Sequence, residues 1–150
     1  MPAAALRPAP ITRNPAYATD IAASFARQGA LVTIGAELGE VTPGRCVVRL
    51  IVTDRVRQHH GFVHGGIVGM IGDVAGCYAA MTLFDPGVEI LTLEYKINFL
   101  RPANGDLLIA TGQVVRSGRS VTVTTTEIEA VATDGTRSVC AILQQSSMPG

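Results

Sequence analysis

From Ile67 to Phe84 nearly every residue is apolar or very small, and Asp73 is the only charge in the run. A helix made from this stretch would be apolar on every side, so it has to be surrounded by other structure rather than laid on a surface. The run approaches the lower length limit for a membrane span. Gly69, Gly72, Asp73 and Gly76 interrupt it, however, and amphipathic segments follow it rather than a second span. A helix buried inside a globular protein is the better reading.

The flanking segments show what could surround it. Residues 1–13, rich in Ala and Pro, read as a flexible leader, and residues 14–150 as one domain. Asn14-Pro15 looks like an N-cap with proline at the first helical position. AYATDIAASFARQ, with Ile21 and Phe25 four apart, makes a short amphipathic helix closed by Gly29. ALVTIGAEL and RCVVRLIVT read as strands about a turn at Thr42-Pro43-Gly44, and the loop DRVRQHHGFVH leads to the long helix near Gly65. Asp85-Pro86-Gly87 stops that helix. The period then changes to two. In LTLEYKINF, Leu91, Leu93, Tyr95, Ile97 and Phe99 alternate with Thr92, Glu94, Lys96 and Asn98, the pattern of a half-buried strand. DLLIATGQVV, SVTVTTTEIEAVA and RSVCAILQQ follow, joined at Ser117-Gly118 and Asp134-Gly135. The expected class is α+β, a curved antiparallel sheet wrapped around a central helix.

Composition narrows the partners. Hydrophobic residues are 47% of the 150 and charged residues 16%, and twelve basic side chains balance twelve acidic ones. Such a chain has no overall field to attract nucleic acid or an anionic membrane, so an anionic ligand has to be held locally. Cys46, Cys77 and Cys140 form neither a disulfide framework nor a CxxC knuckle and read as reduced thiols in a cytoplasmic protein. MPAAALRPAPITR lacks the pattern of a signal peptide.

Two features carry chemistry. His64-Gly65-Gly66 precedes the long helix, where the first backbone N–H groups have no intrahelical partner and carry partial positive charge. Bare glycine backbone there can bind an anion or polarise a carbonyl, or it can simply relieve a tight loop. Asp73 is the stronger signal. A buried carboxylate is costly, and no basic residue lies within a helical turn of it. A nucleophile or general base explains it best, with an interface or loop-capping carboxylate as the plainer alternative. Gly69, Gly72 and Gly76 read as leaving space beside it for an apolar group. Gly65 and Asp73 lie eight residues apart, about 12 Å along one helix, too far for one carbonyl to touch both. Two antiparallel helices across a two-fold axis solve this, which suggests a homodimer with shared sites. His59, His60 and His64 lack companion ligands for a metal. Cys77, a turn beyond Asp73, reads as pocket lining rather than nucleophile, and Ser117 and Ser120 lack a His–Asp arrangement.

QHHGFVHGG, Asp73 nine residues after His64, TLEYKINFLRPA and RSGRS together resemble the hotdog-fold acyl-CoA thioesterases, in the phenylacetate-pathway (PaaI-like) branch. The likeness runs from about Val32 to Gln144. It implies hydrolysis of an acyl- or aryl-CoA thioester without metal or cofactor, and leaves open whether the homodimer pairs again as a dimer of dimers. By the same resemblance Asp73 attacks the thioester or activates water, and the Gly65 N–H stabilises the oxyanion. Gln58 orients the carbonyl or the water, His64 shapes the loop, and Thr92 assists. Gly66, Cys77, Arg101 and Arg119 contact substrate, the arginines at the phosphates of CoA. A non-catalytic acyl-CoA-binding protein and a hotdog dehydratase stay open as alternatives, since one fold hosts several chemistries.

Overall fold

An all-apolar helix needs walls, and the sheet supplies them. The computed structural model describes residues 9–150. In these, α1 (Tyr17–Ala26), α2 (Gly29–Ile34), β1 (Ala36–Thr42), β2 (Arg45–Ile51), a 3-10 turn (Asp54–Val56), α3 (Gly65–Met81), β3 (Ile90–Phe99), β4 (Leu107–Ser117), β5 (Thr122–Val131) and β6 (Arg137–Pro149) follow in order. The strands pair antiparallel in one sheet, β1-β2-β4-β5-β6-β3, curved around α3. This is the hotdog arrangement. Val68, Ile71, Ala75 and Ala79 of α3 are fully enclosed, packed with Val48, Leu50, Leu108, Ile128 and Leu143 of the sheet.

Small residues set how closely helix and sheet approach. A Cβ on Gly112 of β4 would collide with the backbone of Ala75, and one on Gly72 would stand 3.2 Å from both Ile128 Cδ1 and Leu143 Cδ1. A Cβ on Gly76 would meet Gln145 and Thr124. Gly72 and Gly76 thus serve helix–sheet contact. The expected open space beside Asp73 is not what they provide, because a sheet packed this tightly fills it.

Three local expectations are corrected. Asn14 does not cap α1: its Oδ1 accepts from the Ala16 N–H at 2.9 Å in a turn before the helix, and its Nδ2 donates to Asp20 at 2.8 Å. Gly29 does not close that helix but opens α2, within the stretch read as a strand. Leu31 and Ile34 of α2, three apart, face the core while Val32 is 68% exposed, which is helical spacing. Gly35, at φ +75°, ends α2 and releases the chain into β1. The third correction is in β3, where the register against β6 slips between Thr92 and Glu94. This bulge reverses the alternation, so Thr92 and Tyr95 both turn toward α3.

The expected leader lies partly outside the described residues. Within them, Thr12 Oγ1 donates to the Thr82 carbonyl at 2.6 Å and Arg13 Nε to the Leu83 carbonyl at 3.2 Å, fastening this segment at the end of α3. β1 and β3 are the sheet edges. β3 leaves Leu91, Leu93, Tyr95 and Phe99 between 44% and 58% exposed. Among the described residues no helix is long and apolar enough to cross a membrane.

Candidate active site

Asp73 sits half-buried on α3, on the side turned to β3 and β6. Thr92, brought inward by the bulge, donates its hydroxyl to Asp73 Oδ1 at 2.6 Å. The Gln145 amide from β6 donates to the same oxygen and lies 2.9 Å from Thr92 Oγ1. Cys77 Sγ is 3.1 Å from Thr92 Oγ1 and 4.0 Å from Asp73 Oδ1. Every contact to the carboxylate falls on Oδ1, and Oδ2 takes no hydrogen bond from any described residue.

The electrostatics follow from burial. Loss of water pushes the Asp73 carboxyl above its ordinary value of 3.8, and the Thr92 hydrogen bond partly opposes this. None of the ion pairs among the described residues involves Asp73. Desolvation raises the Cys77 thiol to about 11, with Thr92 and Gln145 pulling it down and the Asp73 charge pushing it up. Cys77 is therefore a protonated thiol near neutrality, poorly suited to attack. Asp73, Cys77 and Thr92 border a cavity of about 250 Å³. Its other wall carries Tyr78, whose hydroxyl is tied to Ser24 at 3.0 Å and to Gln28 at 2.6 Å.

The second group of expected residues gathers at the start of α3. His64 is the N-cap, its Nδ1 accepting from the Gly66 N–H at 2.9 Å. That bond uses the Gly66 amide and gives His64 a structural task. The Gly65 N–H has no partner among the described residues. Gln58, Gly65 and Arg101 line one cavity of about 380 Å³, with Phe99 lying across Gly65. The Gln58 Oε1 accepts from the His60 N–H, which folds the side chain onto its own loop. Arg119 joins neither group. It lies on the β4–β5 turn beside Leu83, past the other end of α3. Among the described residues no three His, Cys, Asp or Glu side chains gather in a metal-binding group, and the His59 and His60 rings lie tilted at 42° with their centroids 4.0 Å apart.

Beneath Asp73 lies a layer that the sequence reading missed. Thr122, Thr124, Thr126, Gln145 and Ser147 all face inward and are at most 1% exposed. One signal was available. In SVTVTTTEIEAVA, Val121 and Val123 have odd numbers while Ile128 and Ala130 have even ones, so one strand cannot bury both pairs. The structure buries the even set and takes three threonines inside with it.

Chains of known type share this architecture. The thioesterase superfamily model matches residues 60–137. The chain is 33% identical over 91 residues to the 1,4-dihydroxy-2-naphthoyl-CoA hydrolase of Listeria monocytogenes, covering 61% of this chain and 74% of that one. It is 32% identical over 96 residues to the acyl-coenzyme A thioesterase PaaI of Escherichia coli, covering 63% and 66%. The crystal structure of a thioesterase family protein from Silicibacter pomeroyi superposes with a TM-score of 0.86 at 37% identity, over 89% of this chain and 97% of that one. The E. coli PaaI structure superposes with a TM-score of 0.77 at 26% identity, over 89% and 93%. With its fold and its matched segment in agreement, the chain belongs to the hotdog-fold thioesterase superfamily, in the PaaI-like branch, and is by family a thioester hydrolase.

Proposed function

We propose that this enzyme hydrolyses acyl-CoA, with Asp73 as nucleophile or general base. The supporting observation is the state of that carboxylate. It is half-buried without a cation, held through one oxygen by neutral donors, and borders a cavity. As base, Asp73 takes a proton from water while the water oxygen adds to the thioester carbon. The C–S bond then breaks, and the proton passes to the departing CoA sulfur. The acyl-CoA substrate is inferred from the two CoA-ester hydrolases that the chain resembles.

The site is shared between two copies. The oxyanion donor at Gly65 and the carboxylate at Asp73 are about 12 Å apart along α3, and they border different cavities. An antiparallel α3 from a second copy brings Gly65 of the partner subunit to Asp73. The exposed apolar edge of β3 is the surface that such a dimer buries. Arg101, beside Gln58 and Gly65, meets a phosphate of CoA. In the same geometry Arg119 of the partner subunit reaches the Gly65 end.

Hybrid dimers test this directly. Gly65→Pro removes the N–H at a first helical position, where proline is tolerated, and Asp73→Asn removes the carboxylate. Each homodimer is expected to release no CoA thiol, while a mixture of the two chains regains turnover from one intact site per hybrid. No recovery in proven hybrids would refute the sharing. Tight acyl-CoA binding without turnover by the wild type would favour the non-catalytic alternative.

A further inference from the structure

Gln145 belongs to no loop or motif that pointed to chemistry, and it stands inside β6 at 1% exposure. A buried amide must be satisfied at both ends. Its oxygen accepts from Thr124 Oγ1 at 3.2 Å, and its nitrogen faces Asp73 Oδ1, Thr92 Oγ1 at 2.9 Å and Cys77 Sγ at 3.2 Å. Turning the amide over would set its oxygen against the carboxylate, so only one orientation is stable. Gly76 makes the room, since a Cβ there would collide with the Gln145 oxygen and stand 2.7 Å from Thr124 Oγ1.

We infer that Gln145 is the positioning residue of this site, fixing Asp73 through Oδ1 so that Oδ2 is the oxygen presented to the thioester or the attacking water. This rests on Asp73 acting as proposed above. A neutral donor supports the ionised carboxylate without the strong pairing that a lysine or arginine would impose, so the carboxylate keeps its basicity. The groups around it are Cys77 on α3, Thr92 on β3, Gln145 on β6 and Thr124 on β5, with Glu89 and Tyr78 bordering the same cavity. No described cation pairs with it.

The test is the pH profile of CoA-thiol release for Gln145→Leu, Gln145→Glu and Gly76→Ala, beside wild type and Asp73→Asn. Losing a donor to a charged group lowers kcat by about ten- to a hundredfold in Gln145→Leu, with KM changed by less than about twofold. Its acidic limb moves up by about one pH unit, and further in Gln145→Glu, where two carboxylates resist joint ionisation. Gly76→Ala, which displaces the amide while keeping it, moves the limb the same way and covers the case in which a Gln145 variant does not fold. A lowered melting temperature with kcat and the acidic limb unmoved would mean that Gln145 only holds β6 to α3. Turnover persisting in Asp73→Asn would instead overturn the assignment of Asp73.

Discussion

Replacing Thr92 with valine keeps the side-chain shape and removes one hydroxyl, so it isolates the hydroxyl hydrogen bond to the carboxylate. In the wild type the Thr92 O–H donates to Asp73 Oδ1 at 2.6 Å, while its lone pairs face Gln145 at 2.9 Å and Cys77 at 3.1 Å. A hydrogen bond to a charged acceptor contributes about 1.5–3 kcal/mol, and one pKa unit corresponds to about 1.4 kcal/mol. Asp73 is only half-buried, so the lower end applies. The donor favours the ionised form, and its loss raises the carboxyl further above 3.8. The acidic limb of kcat/KM for CoA-thiol release should therefore move up by about one unit, while the alkaline side changes less. Thermal melting run in parallel separates this from loss of fold. An unmoved limb in a folded Thr92→Val enzyme would refute the reasoning. The hydroxyl would then be satisfying the buried amide of Gln145 rather than the reacting carboxylate.

Asp73→Asn should abolish turnover and yet melt higher at neutral pH. Burial raises the native carboxyl above 3.8, so this group's effect on stability worsens as pH climbs from 3.8 through the raised value. The gain of the variant should vanish in acid, as melting curves across pH would show. Cys77, raised to about 11, should resist alkylation at pH 7.5 in the folded enzyme, and Cys77→Ala should retain turnover; rapid labelling by mass spectrometry would contradict this. Gly112→Ala drives a methyl into the Ala75 backbone and should cost about 1–3 kcal/mol or more in denaturant unfolding. Leu93→Asp, at a position 53% exposed on the edge strand, should give a folded monomer without activity, read by light scattering and CoA-thiol release.

The long helix was legible because a run apolar on every side leaves few choices, and the sheet followed from the change of period after Asp85-Pro86-Gly87. Asp73 stood out for the same reason, as the one costly residue in a cheap context. What stayed hidden depended on tertiary neighbours. β-branched Val32, Thr33 and Ile34 resemble a strand until Leu31 and Ile34 find the core on one face. Thr92 reads as solvent-facing until a bulge reverses the strand, and only pairing with β6 reveals that bulge. Gln145 reads as the polar end of a strand, because its partners lie 72, 53 and 21 residues away in the chain. Glycine was the most ambiguous residue. At Gly65 it leaves a backbone donor bare, and at Gly76 it seats an amide.

In the dimer proposed above, the open edge of β3 would carry its own register key. Two antiparallel copies of the strand can be laid side by side at several offsets, each changing which residues stand opposite. Glu94 and Lys96 project from the face away from α3, one charge of each sign, on either side of Tyr95. With Tyr95 opposite its own copy, each glutamate faces a lysine. A slip of one step in either direction sets Glu94 against Glu94 or Lys96 against Lys96. Like charges directly opposite are destabilising, so three consecutive residues are enough to tell a matched pair of edges from a misaligned one.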